Sequence, residues 1–119
     1  MKTYQEMVRE FHEAMGQPVG VKFDTAPMDL VLLRRDLIRE EINEIIDATS
    51  VENLLKEYSD LIYVVVGACV TFGWDIDEAF RRVHESNMSK LVDGKPVLRD
   101  DGKVMKGPNY KPADLSDLV

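Results

Sequence analysis

The chain has few of the residues that stabilise small secreted proteins and few that attract polyanions. Cys69 is the only cysteine among 119 residues, so no disulfide can form within the chain. It lies in an apolar run, which indicates a buried, reduced thiol and is typical of a cytoplasmic protein. Lysine and arginine number 15 against 22 acids, which gives a net charge of −7. We therefore expect no nucleic acid polymer as a partner, because such binding requires a basic face.

Long hydrophobic segments are also absent. The apolar run over residues 61–70 is well short of the roughly 20 residues that a membrane span needs. Residues 1–6 lack the apolar core of a signal peptide. We expect a soluble, cytoplasmic protein with no membrane partner. The length and the 45% of apolar residues are typical of one globular domain over 1–119.

Hydrophobic periodicity predicts an all-α fold with a different C-terminal part. Thr49 with Glu52 resembles a capping box at the start of a third helix, and Asp75 with Glu78 resembles one at the start of a fourth. Glycines and prolines exclude a long helix after residue 90 and favour a small hairpin around a turn at 100–102, followed by an extended tail. The predicted helices are 4–15, 27–48, 49–72 and 76–90, a helical core over 1–90 before the hairpin and tail of 91–119.

Four acids occupy matching positions on the second and third predicted helices. Glu41 and Glu44 are spaced i, i+3, as are Glu57 and Asp60, so each pair lies on one helix surface. In an antiparallel hairpin with its tip near 50–51, residue 41 lies level with 60, and 44 with 57. Four carboxylates gathered in this way repel one another unless a cation lies among them. A hard divalent ion such as Mg2+ or Mn2+ suits such a site.

The positions of these acids on their helices favour a metal site over a solvated acidic face. Glu41 and Glu44 continue the apolar stripe of their helix, and Glu57 shares a stripe with apolar residues of the next one. The apolar residues of the two stripes are Leu30, Leu33, Leu37, Ala48, Leu61, Val64 and Ala68. The alternative is an ordinary set of surface ion pairs, with Arg39 and Lys56 neutralising part of the charge.

The sequence resembles a known superfamily. The pattern Glu40-Glu41-x-x-Glu44 followed by Glu57-x-x-Asp60 is similar to the metal motif of the all-α nucleotide pyrophosphohydrolases, which include MazG, the dimeric dUTPases, dCTP pyrophosphatases and phosphoribosyl-ATP pyrophosphohydrolase. The stretch 83–91, with Asn-Met-Ser-Lys, and the tail 101–110, with Asp-Gly-Lys, resemble the small single-domain branch of MazG-like and phosphoribosyl-ATP pyrophosphohydrolase-like proteins. The resemblance implies a four-helix bundle-like MazG fold with a short hairpin tail.

The resemblance also implies a reaction and roles for individual residues. The reaction is hydrolysis of a nucleoside triphosphate between the α and β phosphates, with Mg2+ as cofactor and Mn2+ as a substitute. Glu40 corresponds to an acid that orients or deprotonates the attacking water or holds a further metal. The remaining correspondences are Glu41, Glu44, Glu57 and Asp60 as metal ligands, and Asn87 and Lys90 as residues that contact the phosphates from one helix face. Apart from the resemblance, we consider Lys103, Lys106 and Tyr110 as substrate-binding residues of a tail that closes over the triphosphate. The alternative is an ordinary solvated tail.

The sequence alone does not specify the substrate or the number of subunits. The small MazG-like branch favours a purine nucleotide such as dGTP or GTP. The alternatives are phosphoribosyl-ATP and a non-catalytic helical module that binds a nucleotide or a partner. Residues 61–70 of the third predicted helix are apolar on nearly every side, which indicates a central helix or one buried between subunits, and we expect a homodimer or homotetramer.

Overall fold

The computed structural model describes residues 1–119 and consists mainly of helices. Four α-helices precede a two-stranded antiparallel hairpin, so the predicted all-α class is confirmed. We number the helices α1 to α4 and the strands β1 and β2 in chain order. They span Tyr4–Met15, Met28–Ile46, Val51–Thr71, Ile76–Met88, Val97–Leu98 and Val104–Met105. No single helix is long and apolar enough to span a membrane, and α3 and α4 reach such a composition only when counted together.

The chain divides into two compact units, Met1–Ile76 and Asp77–Val119. The first unit contains α1, α2 and α3. The second contains nearly all of α4, the hairpin and the C-terminal tail. This division groups α4 with the tail, whereas the sequence predicted a boundary near residue 90. The expectation of a single domain over 1–119 stays a prediction.

The ends of α3 and α4 differ from the predicted ones by one or two residues. Ser50 caps α3, and its Oγ accepts a hydrogen bond from the Asn53 N–H at 3.0 Å. The predicted capping box of Thr49 and Glu52 is therefore wrong by one residue, because the extended backbone of Ser50 lets helical geometry begin only at Val51. Helix α4 ends at Met88 and not at residue 90.

Helix α3 is the central helix of the first unit and packs against both α1 and α2. Its buried residues Val66 and Val70 form the core with Val8 of α1. Val19 and Ile76 pack against this cluster from the connecting segments. The core is small, so much apolar surface of the three helices stays outside it.

A guanidinium and an imidazole are buried where the three helices meet. Arg34 of α2 is 6% exposed and His12 of α1 is 2% exposed, and both lie against Gly67 of α3. His12 Nδ1 donates to the Pro18 carbonyl oxygen at 3.1 Å, and burial lowers the pKa of the ring. The sequence stripe placed Leu33 on the packed face of α2, but the structure packs Arg34 there and leaves Leu33 half exposed.

An open groove of about 260 Å³ runs between α1 and α3. Tyr4 and Met7 form one wall, and Ile62 and Tyr63 form the other. We call these four residues the α1–α3 apolar face. Each of the four is at least 40% exposed. Soluble monomeric proteins rarely leave large contiguous apolar surfaces exposed to solvent.

In the second unit, the tail is bound to α4. Arg82 donates to the Asp114 carbonyl oxygen at 3.0 Å and to Asp117 Oδ2 at 3.1 Å. Near the end of α4, Ser89 Oγ accepts a bond from the Lys111 N–H at 2.9 Å. The predicted hairpin is confirmed, with residue 97 opposite 105 and residue 98 opposite 104.

Candidate metal centre

Three predicted metal ligands converge between α2 and α3. Glu41 of α2 and Glu57 and Asp60 of α3 each place a carboxylate oxygen within 4.8 Å of the other two. The two helices form the most extensive helix–helix contact of the chain. The i, i+3 spacing of Glu57 and Asp60 puts both side chains on the surface of α3 that faces Glu41. We call these three residues the acid cluster.

The acid cluster is partly buried, and two of its carboxylate oxygens have no hydrogen-bond donor. Glu57 is 4% exposed, although it carries a carboxylate. Its Oε2 and the Oε2 of Glu41 are buried and have no hydrogen-bond partner. Leaving a buried polar group unpaired costs about 1–3 kcal/mol, and more for a charged group. The two oxygens therefore indicate a ligand that the chain itself does not supply.

Burial raises the pKa of Glu41 above its ordinary value, and the neighbouring charges of Asp60 and Glu57 raise it further. The positive charge of Lys56 acts in the opposite direction. A bound divalent cation favours the ionised carboxylate and lowers this pKa. Because a metal ligand must be deprotonated, we expect metal affinity to fall as the pH decreases through the raised pKa of Glu41.

One basic side chain of the first unit contacts the acid cluster. Lys56 Nζ lies 2.8 Å from Asp60 Oδ2 and 3.4 Å from Glu57 Oε1. Its side chain is 66% exposed, so the ammonium lies at the solvent edge of the cluster. Arg39, the other basic residue considered from sequence, is exposed and pairs with none of the three acids. The single ammonium leaves the two inward oxygens unpaired.

The donor set of the acid cluster fits a hard divalent cation. All three candidate metal-ligating groups are carboxylates, and the group includes no thiol and no imidazole. Mg2+ and Mn2+ prefer oxygen ligands, and Mg2+ usually keeps several waters, so three carboxylates are sufficient. The unpaired oxygens of Glu41 and Glu57 are the observation that supports this fit.

Two other predicted acids lie outside the acid cluster. Glu44 and Glu40 are exposed on α2. The charge of Glu44 still contributes to the raised pKa of Glu41, so Glu44 lies near the cluster although it does not join the three converging carboxylates. Of the four acids predicted to gather, three therefore converge and Glu44 lies beside them.

The predicted substrate-binding residues all belong to the second unit. Asn87 is exposed in the last turn of α4, and the Lys90 N–H donates to the Asn87 carbonyl oxygen at 3.1 Å. Because α4 ends at Met88, Lys90 lies in a turn and not on the helical face that the spacing predicted.

The other predicted substrate-binding residues lie in the hairpin and tail of the second unit. Lys103 and Lys106 are exposed, and Lys106 Nζ lies 4.8 Å from the centre of the Tyr110 ring, at a distance typical of a cation–π contact. Ser89, Leu91 and Tyr110 help to line a hollow of about 550 Å³. The second unit therefore has an open hollow, and Lys106 contacts Tyr110, one of the residues that line it.

The sequence reasoning missed the buried pair of His12 and Arg34. The signal that could have indicated it is Gly67, a glycine inside a helix, which usually has a packing reason. A methyl group at Gly67 would come within 2.8 Å of Arg34 Nη1 and 3.2 Å of His12 Nε2. The absence of a side chain at this position is what leaves room for the two polar groups.

Comparison with known proteins identifies the family. Residues 8–87 match the family described as phosphoribosyl-ATP pyrophosphohydrolase. The match begins in α1, ends in the last turn of α4 and contains the whole acid cluster. The chain belongs to the phosphoribosyl-ATP pyrophosphohydrolase family. The expected relation to the all-α MazG-like nucleotide pyrophosphohydrolases is thereby confirmed.

A viral protein is also similar to this member of the family. The chain is 39% identical over 83 residues to an uncharacterised protein, L479, of Acanthamoeba polyphaga mimivirus. The alignment covers 63% of this chain and 33% of the viral protein, so the chain spans about a third of the length of that relative. The name of the viral protein specifies no activity, so the family and the acid cluster are the features that indicate a function for this chain.

Proposed function

We propose that the chain is a Mg2+-dependent nucleotide pyrophosphohydrolase that converts a nucleoside triphosphate to the monophosphate and pyrophosphate. The observation that carries this proposal is the acid cluster with its two buried, unpaired oxygens. Membership of a pyrophosphohydrolase family supports the reaction class, and that family is typically dependent on a divalent metal. Mn2+ is expected to substitute for Mg2+, because both ions accept carboxylate ligands.

The residues of the first unit have distinct roles in this proposal. Glu41, Glu57 and Asp60 hold the ion, and Glu44 beside them supplies a further carboxylate. The bound ion supplies a polarised phosphoryl oxygen and a water of lowered pKa. Glu40, exposed on the same helix, orients or deprotonates the attacking water. Hydrolysis adds one water across the anhydride bond between the α and β phosphates.

The second unit is proposed to bind the substrate. Asn87 offers an amide donor, and Lys90, Lys103 and Lys106 offer ammonium groups to phosphate oxygens. The exposure of Asn87, Lys103 and Lys106 and the hollow beside Tyr110 support this role. The resemblance to the small MazG-like branch favours a purine substrate such as dGTP or GTP.

The assembly is proposed to be a homodimer or homotetramer. The α1–α3 apolar face supports this proposal, because apolar surface that stays open on one chain can be covered by a second copy. A cytoplasmic location is also proposed, on the ground of the single, partly buried Cys69.

Phosphoribosyl-ATP is the second candidate substrate. The description of the matching family favours it directly. This compound carries the same type of phosphoanhydride bond, and the acid cluster is equally suited to its hydrolysis. The two candidates differ in the group attached to the phosphates, which the acids do not contact.

A screen of pyrophosphate release tests the proposed function. All NTPs, all dNTPs and phosphoribosyl-ATP are incubated with the protein in Mg2+, in Mn2+ and in EDTA. We expect at least one substrate to give pyrophosphate and the matching monophosphate in either metal, with no turnover in EDTA. Binding of metal or nucleotide without release of pyrophosphate from any substrate would support the non-catalytic helical module instead.

A further inference from the structure

We propose that Lys56 is an internal counter-ion of the acid cluster, that a divalent cation displaces it, and that the released ammonium then binds a phosphate oxygen of the substrate. The inference rests on the proposed function, since it assigns a role within the same site. Lys56 is neither a carboxylate ligand nor one of the basic residues of the second unit.

Lys56 occupies one side of the acid cluster only. Its ammonium contacts Asp60 Oδ2 at 2.8 Å and Glu57 Oε1 at 3.4 Å. The other Glu57 oxygen, Oε2, and the Oε2 of Glu41 are buried without a partner. The chain thus neutralises the solvent side of the cluster and leaves the inner side unpaired.

A divalent ion and the ammonium compete for two of the same carboxylates, those of Glu57 and Asp60. An ion within bonding distance of Glu41, Glu57 and Asp60 lies among carboxylates that span less than 4.8 Å, where Lys56 Nζ already contacts two of the three. Two cations so close together repel each other strongly. Because the ion carries the larger charge and also reaches the unpaired oxygens, it is the lysine that leaves.

The properties of Lys56 make its release easy. Its side chain is 66% exposed, and ion pairs at such exposure contribute little to stability. Lysine carries its charge on a flexible four-carbon side chain. The planar guanidinium of an arginine would instead form a bidentate ion pair with a carboxylate, which is harder to displace. Displacement therefore needs a change of side-chain rotamer and no movement of α3.

The released ammonium lies where a phosphate must arrive. Lys56 is one helical turn before Asp60, at the solvent edge of the cluster. A triphosphate approaching the bound ion from solvent passes this edge. An ammonium group binds phosphate oxygens through charge-assisted hydrogen bonds, so the side chain that first neutralised the acids would next neutralise the substrate.

Lys56→Gln tests the proposal through two effects of opposite sign. Mn2+ affinity of the substrate-free protein, measured by electron paramagnetic resonance, is expected to rise about threefold to tenfold, because the competing charge is gone. The KM for the best nucleotide is expected to rise by a similar factor, because the phosphate contact is lost. Arg39→Gln is the matched control, since it removes one exposed positive charge of the neighbouring helix α2 that pairs with none of the three acids, and about twofold or less is expected in both measurements.

A second variant and a direct labelling measurement keep the test independent of folding. Lys56→Arg is expected to bind Mn2+ no more tightly than the wild type, because its fork resists displacement. In the wild type, acetylation of Lys56 followed by mass spectrometry is expected to accelerate when Mg2+ is added, while exposed Lys22 keeps its rate.

The outcomes separate this proposal from the proposed function. Unchanged or weaker Mn2+ binding in Lys56→Gln, an unchanged KM, or Lys56 acetylation that ignores Mg2+ overturns the role of Lys56. If the wild type itself binds no metal and releases no pyrophosphate, the proposed function is wrong. A wild type that binds metal and turns over, with Lys56→Gln identical to it, contradicts only the inference about Lys56.

Discussion

Glu57 is the least exposed carboxylate of the chain, and one of its oxygens has no hydrogen-bond donor. Glu41 repeats this arrangement across the helix pair. Neither position helps the fold of the metal-free chain, because a buried carboxylate without a partner costs free energy. Residues that break a local rule of stability in this way are expected at functional sites. A bound divalent cation would pair with the unpaired oxygens of Glu41 and Glu57 and remove this cost.

Glu41→Gln is predicted to stabilise the metal-free protein and to remove its response to Mg2+. The raised pKa of Glu41 means that the ionised form is less stable in the folded state than in the unfolded state. This destabilisation is present at neutral pH and disappears as the pH falls through the raised pKa. We expect a melting temperature roughly 2–5 °C higher than that of the wild type at pH 7.5 without metal, and a smaller difference near pH 4.5.

Differential scanning calorimetry at both pH values, with and without Mg2+, measures this effect. Glu40→Gln is the control, because Glu40 is exposed and lies outside the acid cluster. A Glu41→Gln variant that melts below the wild type without metal, or that keeps the full Mg2+ response, would show that Glu41 is not a strained ligand.

At the scale of the elements, the start of α3 and its contact with α2 determine where the acids meet. Ser50 caps α3 through its hydroxyl group. Gly67 lets the helix approach Arg34 two turns away from the acid cluster. Both features influence the position of α3 along α2. That position determines which residues of the two helices lie opposite each other.

Ser50→Ala is predicted to lower the free energy of unfolding by about 1 kcal/mol, the typical value of a lost N-cap. Thr49→Ala removes the neighbouring hydroxyl and is expected to change it by less than about 0.5 kcal/mol. Urea denaturation of both variants measures the difference. Equal losses, or the larger loss at Thr49, would restore the capping box that the sequence favoured.

Gly67→Ala is predicted to destabilise the protein by about 1–3 kcal/mol, because the new methyl group overlaps the Arg34 guanidinium. Urea denaturation of a double-mutant cycle checks the cause. In an Arg34→Ala background the same change should cost less, since the nearest atom, Arg34 Nη1, is gone and only the longer contact with His12 Nε2 is left. If the cost is the same in both backgrounds, the close approach at Gly67 does not depend on Arg34.

The elements could largely be predicted from the sequence, and the site only in part. Helical periodicity predicted the four helices, and the level pairing of residues 41 and 60 indicated converging acids. The exclusion of Glu44 from the group and the pairing of Lys56 depend on side-chain directions, which spacing does not specify. The burial of Arg34 depends on Gly67 of another helix, and periodicity within α2 alone favoured the leucine beside it.

At the scale of the whole molecule, the α1–α3 apolar face predicts self-association. Light scattering after size exclusion should give a multiple of the 13.6 kDa chain mass. Ile62→Glu places a charge on this face and is expected to shift the mass toward 13.6 kDa. Leu98→Glu makes the same change on the exposed hairpin and should leave the mass unchanged. A wild type that runs as a monomer would contradict the proposed assembly.

The proposed function requires that the acid cluster hold the ion that supports phosphoanhydride hydrolysis. Pyrophosphate release from the best triphosphate in Mg2+ is therefore compared between the wild type and Glu57→Gln. We predict equal amounts of monophosphate and pyrophosphate from the wild type, and a rate at least about a hundredfold lower in the variant, because a buried ligand of the ion is lost. A Glu57→Gln protein that releases pyrophosphate at the wild-type rate would contradict the role of the acid cluster.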